Sequence, residues 1–305
     1  MMRARFAHER ARVEAGLADY HVESEIDSQP SCWREAAARL PAVRDALPRD
    51  GERVAVFGCG TSLYMARAYA ALREAKGLGV TDAFAASELP FGRDYDRHIA
   101  ISRSGTTTEV LDAVERLTGE VTALTAVAGS PFKPGTRTVV LEFADERSVV
   151  QTRFATSALA LLRASLGEPV PDGDGERALA EPLAQEWLDA EQITFLGRGW
   201  TNGLADEAAL KAREAARLWT ESYPAMEYRH GPISIAQPGR LTWMFGEAPD
   251  GLADDVAATG AAYATSDLDP MAQLVLAQRL AVAHARARGM DPDRPRSLTR
   301  SVVLP

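Results

Sequence analysis

Two groups of residues in this 305-residue chain have types and spacing suited to chemistry. The first is Ser102-Arg103-Ser104-Gly105-Thr106-Thr107-Thr108, five hydroxyls around one glycine, between the apolar His98-Ile99-Ala100-Ile101 and a stretch of helical period beginning near Glu109. Free N–H groups and the dipole at a helix start favour an anion, so the run reads as a phosphate cradle. The same residue types also serve as plain helix caps. The second group is Glu207, Lys211 and Glu214, spaced four and three apart and therefore on one face of a helix. Such charges usually form solvated intrahelical pairs; the alternative is an amine required there for chemistry. Only three lysines stand among 31 arginines, which gives an amine at this place some weight.

Two shorter motifs accompany them. Gly58-Cys59-Gly60-Thr61-Ser62 follows the apolar run 53–57, and Gly197-Arg198-Gly199 follows Ile193-Thr194-Phe195-Leu196. Leu63 and Asn202 stand where a dinucleotide fingerprint needs its third glycine, so nicotinamide and flavin are disfavoured. The first turn still offers amides and hydroxyls to an anion or sugar, or is simply tight. His230, in Glu227-Tyr228-Arg229-His230-Gly231-Pro232, has the titration range of a proton shuttle, although a lone histidine is as easily structural.

The elements needed to hold these groups can be read from periodicity. Residues 1–50 read as packing helices, with apolar positions at Phe6, Val13 and Leu17 and a second helix capped by Ser31. From there strands alternate with helices, which argues for an α/β protein with parallel sheets covered on both faces. Strands are expected at 53–57, 98–101, 121–127 and 138–143, and again at 193–196, 240–245 and 261–264. Helices are expected at 62–76, 149–166, 178–190, 201–218 and 271–288. The Pro-, Gly- and acid-rich stretch 169–177 reads as a linker between a first unit, 51–168, and a second, 178–290. The two glycine pairs, 139 residues apart, read as the same turn in two copies of one unit. Residues 291–305 read as a frayed tail or as a segment closing over a site.

Composition narrows the function. With 34 basic and 43 acidic residues the net charge is −9, which leaves no footprint for a nucleic-acid backbone. Cys32 and Cys59 make no disulfide framework and no zinc-like spacing, so a reducing cytoplasm is expected. Neither a signal peptide nor a membrane span is legible, and no membrane partner is expected.

Together and in this order the motifs resemble the sugar isomerase (SIS) family: the tandem-SIS isomerase half of glucosamine-6-phosphate synthase and the stand-alone amino-sugar-phosphate deaminase/isomerases. The likeness rests on Gly58–Ser62, Ala86-Ser87-Glu88, Ser102–Thr107, Ala209–Glu214, Glu227–Pro232 and Asp293–Leu298, and on the sixteen-residue step from Glu214 to His230. It implies two tandem SIS domains, each a three-layer, flavodoxin-like doubly wound sheet. It also implies that Ser102, Arg103, Ser104 and Thr107 bind a sugar phosphate, with Thr61 and Ser62 lining the pocket. Glu214 would carry a proton between C1 and C2, Lys211 would hold or polarise substrate oxygens, and His230, entering from a neighbouring subunit of a homodimer, would assist ring opening. No metal or organic cofactor is required.

Two substitutions depart from the synthase pattern. Arg300 stands where the synthase has the lysine that forms a Schiff base, and a guanidinium cannot serve as that nucleophile. Gln151 replaces a pocket serine. With no glutamine-hydrolysing domain legible either, the expectation is a glucosamine- or galactosamine-6-phosphate deaminase/isomerase that releases ammonia. A fructosamine-6-phosphate deglycase and a non-catalytic sugar-phosphate regulator are the alternatives.

Overall fold

The computed structural model describes residues 20–304. The helix expected around Phe6, Val13 and Leu17 lies outside them. Five parallel strands, β1 (Val54–Gly58), β2 (Thr81–Ala85), β3 (Arg97–Ile101), β4 (Glu120–Thr125) and β5 (Arg137–Val140), form one sheet in the order β2-β1-β3-β4-β5. Four more, β6 (Gln192–Gly197), β7 (Trp219–Pro224), β8 (Arg240–Met244) and β9 (Ala262–Ala264), form a second parallel sheet in the order β7-β6-β8-β9. The strand order therefore reverses between β1 and β3, and again between β6 and β8. In such sheets ligands bind outside the carboxyl ends of the strands at that reversal.

The central strands β1, β3 and β6 are buried from end to end, as expected of sheets covered twice. Alternate residues serve opposite faces. Val54 and Val56 of β1 join Ile193, Phe195 and Trp243 of the second sheet in one core, whereas Ala55 and Phe57 join a separate outer cluster with Val110 and Val114. Leu196 and Met244 likewise meet Tyr228 and Leu252 on the outer face of the second sheet. The layer between the sheets includes the helices Thr61–Ala75, Arg153–Ser165, Thr201–Ala216 and Pro270–Ala287.

Helices Thr61–Ala75 and Thr201–Ala216 each start where the central strand of a sheet ends, and they pack on one another. Gly203 permits the approach: a Cβ there would lie 2.4 Å from the carbonyl oxygen of Tyr64 and 2.8 Å from the amide nitrogen of Ala68.

Several sequence expectations need correction. The supposed linker is largely helix: Asp172–Ala180 is helical, and Gly175 sits so close to Trp33 that a Cβ would come within 2.7 Å of the ring. The single helix expected over 178–190 is instead the end of that helix, followed by the short turn Gln185–Leu188. The second N-terminal helix spans Gln29–Ala38, with Ser28 rather than Ser31 at its cap and Pro30 in its first turn. The strands β2 and β7 and the helix Leu252–Ala258 have no counterpart in the sequence expectations. Through residue 304 the tail is no frayed end. The Asp293 carboxylate accepts hydrogen bonds from the His21 and Val22 amides, at 2.7 and 2.8 Å, at the start of helix His21–Asp27.

Candidate active site

Gly58, the last residue of β1, pairs in register with Ile101, the last residue of β3. The turns carrying Thr61-Ser62 and Ser102–Thr107 thus leave the sheet side by side at its reversal point. Gly58 is required there, since a Cβ would lie 2.8 Å from the Ile101 carbonyl oxygen. Gly105 has φ +64°, and a Cβ would fall 2.0 Å from Ser130 Oγ, so the second turn also depends on a residue without a side chain. Thr61, Ser62, Ser102 and Ser104 are buried and Thr107 is half-buried, with Ser102 and Thr107 hydroxyls 3.5 Å apart. Thr107 also caps helix Thr108–Arg116 through its backbone. The result is a compact cup of hydroxyls at a helix start, with Glu109 in the first helical turn.

Lys211 joins this cup to the acid/base cluster. Its Nζ donates to Thr61 Oγ1 at 2.9 Å and to Glu214 Oε2 at 2.5 Å, and lies 3.4 Å from Glu207 Oε1. The side chains of Lys211 and Glu207 are 1% exposed and that of Glu214 is 18% exposed. The solvated-pair reading therefore does not describe these residues. Burial disfavours the charge on Lys211, but Glu207 and Glu214 outweigh it and hold the amine above the usual lysine range. Burial pushes the Glu207 carboxyl up to about 8, against the pull of Lys211 and with a push from Glu214. One buried cation cannot neutralise two carboxylates, and a protonated Glu207 resolves the imbalance at neutral pH. Glu214, partly exposed and bonded to the ammonium, is left as the carboxylate that a ligand can reach.

The remaining sequence-derived residues fall in different places. Arg103 is 2% exposed, and its guanidinium points into the protein: Nη1 donates to the carbonyls of Ser148 (2.9 Å) and Val149 (3.4 Å), Nη2 to that of Arg300 (2.8 Å). The Glu146 carboxylate, fully buried, lies 3.7 Å away. That carboxylate also accepts from the Thr152 amide and hydroxyl and the Arg153 amide, capping helix Arg153–Ser165. Gln151 sits just before this helix, half-buried, its Oε1 enclosed and without a hydrogen-bond partner. Arg300 is exposed, and its guanidinium binds Asp145 and the Glu146 carbonyl. His230 is exposed in the short turn Glu227–His230 beside buried Tyr228; among the described residues it makes no hydrogen bond to Glu214 or Lys211.

Three participants escaped the sequence reading. Ser301 Oγ lies 3.0 Å from both Ser104 Oγ and Thr106 Oγ1, and the Thr108 amide donates to the Val302 carbonyl at 3.1 Å. Glu146 is the third; a lone acid in a polar loop gives no sign that it will be buried. Two cavities are lined by other residues. One, about 450 Å³, is lined by Tyr20, His21, Arg147 and Val149 with Asp291, Asp293 and Arg294. The other, about 660 Å³, opens at the second sheet's reversal point, where Arg163 is already paired with Asp269 at 2.8 Å.

No protein-family model matches the chain. Sequence relatives are clearer. The isomerising glutamine–fructose-6-phosphate aminotransferase of Sulfolobus acidocaldarius is 28% identical over 92% of this chain and 56% of its own length. That of Sulfurisphaera tokodaii is 31% identical over the same shares. The chain belongs to the SIS (sugar isomerase) family. It spans about half the length of the curated relatives it matches. Among solved structures, glucosamine-6-phosphate deaminase from Thermotoga maritima has a TM-score of 0.78 at 24% identity, covering 93% of this chain and 100% of that one. Tagatose-6-phosphate ketose/aldose isomerase from Escherichia coli scores 0.75 at 18% identity, covering 93% and 96%. These likenesses carry the SIS fold. No helix among the described residues is long and apolar enough to cross a membrane.

Proposed function

We propose that this chain is an amino-sugar-phosphate deaminase/isomerase that converts a hexosamine 6-phosphate and water to a ketose 6-phosphate and ammonia, built as two tandem SIS domains. The observation that carries the reading is the position of Lys211: one ammonium touches both the crevice hydroxyl of Thr61 and the accessible carboxylate of Glu214. A phosphate held by the hydroxyl cup would place the other end of a six-carbon chain near this pair.

On that reading Glu214 removes the C2 proton of the open-chain aldose and returns it to C1, while Lys211 stabilises the negative charge that develops on the C1 oxygen. The C1 aldehyde becomes an alcohol and the C2 amine becomes an imine. Water adds at C2, ammonia departs, and a ketose phosphate remains, with no net redox change. Fixing the phosphate makes the proton transfer effectively intramolecular. Arg300 supports deamination over synthesis, because its guanidinium is held by Asp145 and the Glu146 carbonyl and has no amine to offer a ketose. The glucosamine-6-phosphate deaminase among the structural neighbours performs chemistry of this class. An exposed His230, without a hydrogen bond to its own Glu214 among the described residues, fits a role in the site of a second copy in a homodimer.

The test is ammonia release from glucosamine and galactosamine 6-phosphates and from a 6-phosphorylated fructosamine, with the sugar product identified in the same samples. Ammonia with a ketose phosphate from a hexosamine supports the proposal. Release of a free amine and an aldose phosphate from the fructosamine alone would transfer the assignment to deglycase.

A further inference from the structure

Three donors on one side of the cup, the Ser104 and Thr106 hydroxyls and the Thr108 amide, are already occupied by oxygens of the same chain, whereas Ser102 and Thr107 bond one another. Ser104 and Thr106 hydroxyls meet Ser301 Oγ, the first amide of helix Thr108–Arg116 meets the Val302 carbonyl, and the Leu304 amide returns a bond to Thr108 Oγ1 at 2.9 Å. Arg103, next to these hydroxyls in sequence, directs its guanidinium at the Arg300 carbonyl, one residue before Ser301. Its buried Nη1 is anchored in turn to Ser148 and Val149 and lies beside Glu146. The Arg103 Nε has no hydrogen-bond partner but is buried as well, so the guanidinium presents no exposed donor to a substrate phosphate.

We infer that residues 300–304 are an internal ligand of the anion cup, and that Arg103 is the positioning residue that holds them there. Ser301 Oγ and the Val302 carbonyl take the places of phosphate oxygens, so an incoming phosphate must displace the tail before it can use Ser104, Thr106 and the Thr108 amide. Apparent phosphate affinity is then the intrinsic affinity multiplied by the fraction of chains with the tail withdrawn. Arg103 sets that fraction through its bond to the tail backbone and touches no phosphate itself.

This inference rests on the cup being an anion site, and two readouts separate the two ideas. Binding of inorganic phosphate is measured by calorimetry, and hydrogen exchange reports protection of residues 299–304, for the full chain, Arg103→Gln, Ser301→Ala and a chain ending at residue 298. Expected are loss of tail protection in Arg103→Gln, and phosphate affinity at least about fivefold tighter in Ser301→Ala and in the shortened chain than in the full chain. If Arg103→Gln weakens phosphate binding while tail protection persists, Arg103 is a phosphate ligand and the inference is wrong. If the shortened chain binds phosphate no tighter than the full chain, the tail is no competitor. If no form binds phosphate, the cup itself has been misread, whatever the tail does. Should Arg103→Gln fail to fold, Ser301→Ala and the shortened chain still decide the matter.

Discussion

Lys211 Nζ lies 2.9 Å from Thr61 Oγ1, so the far half of the helix that follows β6 reaches the turn that follows β1. The spacing that makes this possible lies on one helix face. Gly203, Glu207, Lys211 and Glu214 fall at intervals of four, four and three residues: the glycine closes the helix contact, and the charged residues follow along the same side.

Gly203→Ala tests that arrangement. A methyl group at 2.4 Å from the Tyr64 carbonyl oxygen forces the helices apart. Overpacking of this kind typically costs ~1–3 kcal/mol. Denaturant unfolding should show that loss, and turnover should fall as Lys211 is drawn away from Thr61. Full activity with unchanged stability would mean that the helix approach does not position the site.

The buried carboxyl of Glu207 makes a pH prediction. Its value of about 8 in the folded chain stands above the unfolded value of 4.5, so between these limits the folded state binds more protons. The group's contribution to stability is complete below the lower value and is lost as pH rises through the upper one. Glu207→Gln should flatten the decline in melting temperature between those pH values. A variant that declines as steeply as the parent would place Glu207 ionised throughout.

Gly105→Ala addresses the cup. Positive φ and a contact of 2.0 Å with Ser130 Oγ oppose any side chain. The left-handed backbone alone costs roughly 1–2 kcal/mol in an L-residue. Phosphate binding should drop at least tenfold while the melting temperature changes by only a few degrees, as measured by calorimetry and thermal unfolding.

How much of this was legible in the sequence follows from burial. The inner strands announce themselves because both faces are covered, and their apolar runs have no competing explanation. The edge strands β2 and β7 do not: Thr81-Asp82-Ala83-Phe84-Ala85 and Trp219-Thr220-Glu221-Ser222-Tyr223-Pro224 are partly exposed and mix charge with aromatics. The stretch 169–177 has the composition of a linker, yet the small Gly175 lets its helix lie against Trp33. Spacing placed Glu207, Lys211 and Glu214 on one face but could not tell a solvated face from a buried one. The hydroxyl run was readable as a cup, whereas the direction of the Arg103 side chain depends on Glu146 and Arg300, 43 and 197 residues away.

A shared site makes a mixing prediction. Glu214→Gln and His230→Asn should each be nearly inactive as purified chains. Exchanged in equal amounts, a homodimer with shared sites should regain about a quarter of parental activity, because half the dimers are mixed and each rebuilds one site. No recovery after verified subunit exchange would put His230 outside the neighbour's site.

The measurement that bears most directly on the central claim is turnover of a hexosamine 6-phosphate by Glu214→Gln, read as ammonia release, beside phosphate affinity in the same preparation. Removing a general base typically costs about 10²–10⁴-fold in rate. The account predicts a loss of that size with phosphate affinity within about threefold of the parent, as expected for a group acting on the proton and not on the anchor. Turnover equal to that of the parent would contradict it.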